Sequence, residues 1–93
     1  MLELLIYIPT YNRPIELKRT LDVLFSRFVD FPQVRIHVGD NHSTKLLDLE
    51  KYYPVQLSNG KLSYNRNLTN IGMSANIMKG FDFVEEASWL LIL

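Results

Sequence analysis

Three short polar clusters hold most of the residues in this chain whose types and spacing suit chemistry. They are Pro9-Thr10-Tyr11-Asn12-Arg13-Pro14, Gly39-Asp40-Asn41-His42-Ser43, and Arg66-Asn67-Leu68-Thr69-Asn70-Ile71-Gly72, with Asn76 just beyond. Tyr11 offers a ring that can stack on a planar base while the backbone of Pro9 and Thr10 approaches its edge. Asp40 lies between Gly39 and Asn41, where the chain can turn sharply, and its carboxylate can accept a hydrogen bond from a base imide or a ribose hydroxyl. Gly72 opens a predicted helix whose free N–H groups and dipole suit a phosphate. Arg66 adds a charge close by, and Asn76, one turn into that helix, can point back toward the same crevice. Polar side chains grouped past the carboxyl ends of parallel strands are where open α/β sheets bind nucleotides and other phosphorylated ligands.

Each of these features also has a plain structural reading. Tyr11 can cap the sheet and Asn12 the helix, Asp40 can anchor an ordinary Asx turn, and Asn70-Ile71-Gly72 can be a simple turn with Asn76 on a solvated helix face. Position alone leaves both readings open. His42 is a lone loop histidine, and His37 alternates into a strand as a packing or surface residue; neither has the neighbours that metal ligation needs. No Walker loop and no Gly-x-Gly-x-x-Gly sequence is present, so neither a P-loop NTPase nor a dinucleotide dehydrogenase is supported.

Composition narrows the class further. Ninety-three residues make at most one domain. A hydrophobic fraction of 47% supplies a core and argues against global disorder. Ten basic residues balance ten acidic ones, so there is no broad electrostatic footprint for nucleic acid. Cysteine is absent, which excludes a disulfide scaffold, a thiolate nucleophile and a cysteine-based zinc site. The apolar start contains Glu3, lacks a cationic leader and is cut short by Pro9, so it reads as a strand and not as a signal peptide. No apolar run reaches the roughly 18–20 residues of a spanning helix. A cytoplasmic location is expected, at most peripheral to a membrane in a longer protein.

The elements that must position the clusters follow from periodicity. Residues 4–8 form an apolar, partly β-branched run, read as a strand buried on both faces. Residues 15–28 carry Leu17, Leu21, Leu24, Phe25 and Phe28 at steps of three and four, an amphipathic helix with Pro14 near its first position. Val34, Ile36 and Val38 make a second strand ending at Gly39-Asp40. Residues 45–53 are expected to form a short helix capped by Ser43 or Thr44, 54–60 a turn-rich stretch, and 62–66 a strand near a sheet edge. A second long helix is expected over 73–86, with Met73, Ile77, Phe81 and Val84 on one face. Residues 88–93 are almost wholly apolar and are expected to form a central strand. The order β-α-β-(α)-β-α-β predicts an α/β, Rossmann-like, mostly parallel sheet of about four strands with helices on both faces and right-handed crossovers.

Taken together in this order, the three clusters, Asn76 and the aromatic-led strand after it resemble the family 2 glycosyltransferases of GT-A fold, over essentially the whole chain. The resemblance implies that the chain is the N-terminal sugar-nucleotide-binding part of such a domain. It implies that Tyr11 stacks near the base, that Pro9 and Thr10 edge the same pocket, and that Asp40 reads the base imide. Asn70, Gly72 and Asn76 would then lie along the ribose and diphosphate, with Arg66 supplying charge. The donor it implies is a nucleotide-sugar, UDP by family habit, used by an inverting, metal-dependent enzyme of polysaccharide, lipopolysaccharide or glycoprotein assembly.

Two departures limit the likeness. The family usually carries two acidic residues before the Asn-x-Ser turn, and here the first is Gly39. The family's Asp-x-Asp motif, which holds Mn²⁺ or Mg²⁺ against the diphosphate, is expected directly after a strand like 89–93, and the catalytic base and acceptor half would follow it. The expectation is therefore a truncated domain of residues 1–93, inactive alone, with no catalytic or metal residue assigned and no cofactor of its own. The apolar last strand is expected to pair copies into a homo-oligomer. A non-catalytic nucleotide-binding module and a self-associating module of the same fold stand as alternatives.

Overall fold

The computed structural model describes residues 3–83 and 89–93. Strands β1 (Leu4–Thr10), β2 (Val34–Asp40), β3 (Leu62–Arg66) and β4 (Trp89–Ile92) form one sheet in the order β3-β2-β1-β4, parallel at every pairing. Between them run α1 (Pro14–Arg27), α2 (Leu49–Tyr52), α3 (Pro54–Ser58) and α4 (Met73–Met78), the last continuing as a 3-10 helix over Lys79–Phe83. The chain belongs to the α/β, Rossmann-like architecture that its alternating pattern predicts.

Side-chain alternation along the strands gives the sheet two unlike faces. On one, Ile6, Ile8, Val34, Ile36, Val38 and Leu62 pack under Leu17 and Leu21 of α1, Leu49 of α2, and Tyr53. Helix α1 forms as its sequence dictates: Pro14 takes the first turn, Glu16 and Arg27 complement the dipole at either end, and the N–H of Phe28 closes the last turn on Leu24 O. The other face carries Tyr7 and His37 toward α4 and the 3-10 helix. Tyr7 is fully buried, and its ring lies between two glycines. A Cβ on Gly39 would stand 2.6 Å from Tyr7 Cζ, and one on Gly80 would stand 2.8 Å from Tyr7 Cδ2.

The structure departs from the periodicity in four places. The long helix expected over 73–86 is α-helical only to Met78; Gly80 is a weak helix former pressed on the Tyr7 ring, and the backbone tightens to 3-10 geometry there. Val84, Glu85 and Glu86 of that expectation lie outside the described residues, as does Ser88. The turn-rich stretch after Pro54 contains the single-turn helix α3, because a proline at the first helical position is pre-set for it. The expected helix over 45–53 shrinks to α2, and its cap is neither Ser43 nor Thr44 but Asp48, whose carboxylate accepts from Lys51 N. Strand β4 is at the sheet edge and not central, paired only with β1 among the described residues, and Trp89 is 63% exposed.

Candidate functional site

The loops after β1, β2 and β3 meet at the carboxyl edge of the sheet because the three strands are parallel and in register: Thr10 stands beside Asp40, and Asp40 beside Arg66. Asn12, in the left-handed region at φ 53°, ties the first two loops together. Its side-chain oxygen accepts from Thr44 N at 2.7 Å and Lys45 N at 3.0 Å, while its own N–H donates to Ser43 Oγ at 2.8 Å. Asn12 is therefore a clasp between loops, and Arg13 takes the helix-cap position without a side-chain bond.

Asp40 anchors an Asx turn. Its carboxylate accepts from Ser43 N at 2.8 Å and from the Ser43 hydroxyl, and Arg66 Nε lies 3.6 Å away. Arg66 also donates through Nη2 to Ser43 O at 2.8 Å, so both charged groups are held by the same turn. Asp40 and Arg66 face a cavity of about 310 Å³ whose floor is apolar, from Leu17, Val38 and Leu47. Asp48 and Tyr64 complete its rim. Asp48, the cap of α2, belongs to this rim.

A second cavity of about 550 Å³ opens on the other side of Thr10, which lines both. Pro9, Thr10, Tyr11, Asn70, Gly72 and Asn76 all border it. Six of the eight residues singled out in the sequence thus converge on one cavity, and Asp40 and Arg66 stand on the neighbouring one. Tyr11 is 44% exposed and presents an open ring. Gly72 has φ 86° and ψ 159°, a conformation essentially reserved for glycine. It leads into an α-helix of only six residues, so the dipole expected at this point is weaker than a long helix would provide.

Asn76 is buried and does not lie on a solvated face. Its Nδ2 donates to Gly39 O at 3.0 Å and its Oδ1 accepts from Asn67 Nδ2 at 2.9 Å. Tyr7 Oη donates to Asn76 O at 2.9 Å. The polar atoms of Asn76 are therefore spent on the wall of the cavity. Burial first, then the charge of Asp82, pushes the Tyr7 hydroxyl above its ordinary value and keeps it a neutral donor.

His37, whose sequence context left it as packing or surface, is a buried polar group with both ring nitrogens bonded. Nδ1 lies 2.7 Å from Ser63 Oγ and Nε2 lies 2.8 Å from Asn65 Oδ1. Its ring stacks on Phe83 with centroids 3.9 Å apart. Burial lowers its pKa below the ordinary 6.5, against a smaller upward pull from Asn65. Asn41 and Asn67 stand in the polar clusters of the sequence without a role assigned to their side chains, and Asn65 lies outside those clusters. A density of asparagines in loops looks like turn chemistry from sequence alone, and only the fold shows their amides meeting.

Among the described residues, no group of three or more His, Asp or Glu side chains is placed to hold a metal ion. The divalent cation implied by the resemblance has no ligand set among them. No described helix is long and apolar enough to cross a membrane.

A parallel sheet whose strand-end loops border a crevice, with the Asp-Asn-x-Ser turn and the Asn-x-Gly helix start beside it, has the geometry with which open α/β folds present a ligand site. The model for Glycosyl transferase family 2 matches residues 5–93, and the chain belongs to that family. Its fold is the Rossmann-like N-terminal part of the GT-A architecture. No curated protein matched the chain in comparison.

Proposed function

We propose that the paired cavities take the nucleotide-sugar donor of a glycosyl transfer, with UDP as the nucleotide. The observation carrying this reading is the convergence of Pro9, Thr10, Tyr11, Asn70 and Gly72 on one cavity at the carboxyl edge of a parallel sheet in a family 2 chain. Thr10 is the waist between the two cavities. In this reading the base sits at the waist, with its face on Tyr11 and its imide toward Asp40. The ribose and diphosphate run along Asn70 and the Gly72 turn. Arg66 orients Asp40, and Asn76 acts as wall and not as a ligand contact.

The chemistry proposed for the whole enzyme is inverting, metal-dependent transfer in polysaccharide, lipopolysaccharide or glycoprotein assembly. A carboxylate base and a cation at the leaving diphosphate are needed for it. Among the described residues no metal-holding group is present and no carboxylate is assigned as the base, so the 93-residue chain is proposed to bind donor without transferring sugar. Isothermal titration with UDP tests the binding; heat indistinguishable from dilution up to millimolar UDP would falsify it. Sustained sugar transfer to candidate acceptors in the presence of UDP-sugars and Mn²⁺ would overturn the proposed inactivity.

The edge of β4, unpaired among the described residues and with Trp89 and Leu91 exposed, supports self-association of this chain, since open apolar edges template further strand pairing. Sedimentation should show a dimer or larger species at micromolar concentration; a clean monomer there argues against it.

A further inference from the structure

We propose that Asn67 is a positioning residue for the donor cavity, a role resting on the nucleotide-binding reading above. Asn67 is buried, borders neither cavity, and uses every polar atom it has. Its N–H donates to Asp40 O at 2.8 Å, and its carbonyl accepts from His42 Nδ1 at 3.1 Å. Through Nδ2 it donates to Asn41 Oδ1 at 3.0 Å and Asn76 Oδ1 at 2.9 Å. Through Oδ1 it accepts from Asn65 Nδ2 and Lys79 Nζ, each at 3.1 Å.

The direction of every bond in this set is dictated by groups that cannot reverse. Lys79 can only donate, which makes its partner atom on Asn67 the oxygen and turns the Asn67 amide nitrogen toward Asn41 and Asn76. Ile71 N, also donor-only, fixes Asn41 the same way, donating to its Oδ1 at 3.0 Å. Asn41 Nδ2 then donates to Asn70 Oδ1 at 2.8 Å, which accepts Gly72 N at 2.8 Å as well. At the other end, Gly39 O can only accept and so orients Asn76. The hydrogen-bonded Asn41–Asn70 pair on one wall and the first turn of α4 on the other are joined through one amide, that of Asn67. The same logic runs outward to Asn65, whose oxygen must accept, so that the proton of His37 is on Nε2. A hydrogen-bonded network of this kind, buried at Asn41, Asn67 and Asn76, holds one geometry because a flipped amide leaves acceptors facing acceptors.

The variant Asn67→Asp tests this, since it keeps the acceptor for Asn65 and Lys79 but removes both donors toward the cavity walls. UDP affinity of the folded protein should fall about tenfold or more, the scale of leaving buried acceptors unmatched. Amide exchange at Ile71 and Gly72 should quicken while that of Ile36 in the sheet is unchanged, and the side-chain amide signals of Asn41 and Asn76 should shift. A role in stability alone would lower the melting temperature without moving UDP affinity of the folded fraction or the Ile71 and Gly72 exchange. Should Asn67→Asp not fold, Asn65→Ala decides: it removes one bond that sets the Asn67 amide and should weaken UDP about threefold. Wild-type affinity together with wild-type Ile71 and Gly72 protection in the folded variants overturns the proposal. If the wild-type chain itself fails to bind UDP, the donor reading fails, and the Ile71 and Gly72 exchange alone then judges the positioning role.

Discussion

The two faces of the sheet are built on different physics. Under α1 and α2 the strands meet aliphatic side chains whose burial is non-directional and tolerant of small shifts. Under α4 and the 3-10 helix they meet Tyr7 wedged between two glycines, His37 with both nitrogens bonded, and an array of asparagine amides. The first face gives cohesion; the second gives a defined geometry, and the larger cavity opens on the second. Amides suit that task because each has a donor and an acceptor end, so a network of them has a direction that hydrocarbon packing lacks.

The sharpest way to break this contrast is Gly39→Ala. The new methyl would collide with the Tyr7 ring, which has Gly80 on its other side, so the loss should reach about 3 kcal/mol, the upper end of overpacking costs. Urea denaturation reads it directly, and an unchanged midpoint would refute the wedge. Tyr7→Leu in the same chain should return part of the loss. Leu21→Ala on the aliphatic face should cost a comparable amount, about 3 kcal/mol by cavity formation, yet leave UDP affinity of the folded fraction unchanged. A matching loss of affinity there would erase the distinction between the faces.

Smaller effects sharpen the comparison. Asp40→Asn keeps an acceptor for Ser43 N but removes the charge facing Arg66; UDP affinity should drop about tenfold, which calorimetry would register. Tyr11→Ala should leave the denaturation midpoint within about 0.5 kcal/mol of wild type because the ring is half exposed, while UDP binding weakens severalfold. The gentlest probe is pH. Burial depresses the pKa of His37, so the unfolded chain binds the extra proton first. The stability contributed by neutral His37 is present above its ordinary 6.5 and is lost as pH falls from there through the depressed folded value. His37→Phe should flatten that slope; an identical slope in both proteins would assign it to other groups.

Much of this was legible in the chain. Periodicity located the four strands and α1 closely, since alternation and three-four spacing are written in consecutive residues. The clusters at Pro9–Tyr11 and Asn70–Gly72 were legible as loop chemistry after strands. What escaped was every feature set by a distant partner. Asp48 was indistinguishable from a surface carboxylate until the chain placed it on the cavity that Asp40 also lines. The 3-10 continuation of α4 was invisible because its cause is the Tyr7 ring against Gly80, 73 positions apart in sequence. The central position expected for β4 rested on composition, which records how apolar a strand is and not which neighbours it has.

Gly39 shows the boundary between the two kinds of information. As a sequence feature it was only a missing carboxylate beside Asp40; in the fold it is the space into which the Tyr7 hydroxyl reaches on its way to Asn76 O. The amino-acid order alone determined the alternating elements, the parallel sheet and the family, because those depend on local spacing and turn chemistry. The tertiary structure decided that one expected crevice is two cavities meeting at Thr10, and that the asparagines face inward. The Asn67 amide meets Asn41 across 26 residues and the Asn76 amide meets Gly39 across 37, and nothing short of the folded chain brings such donors and acceptors to about 3 Å.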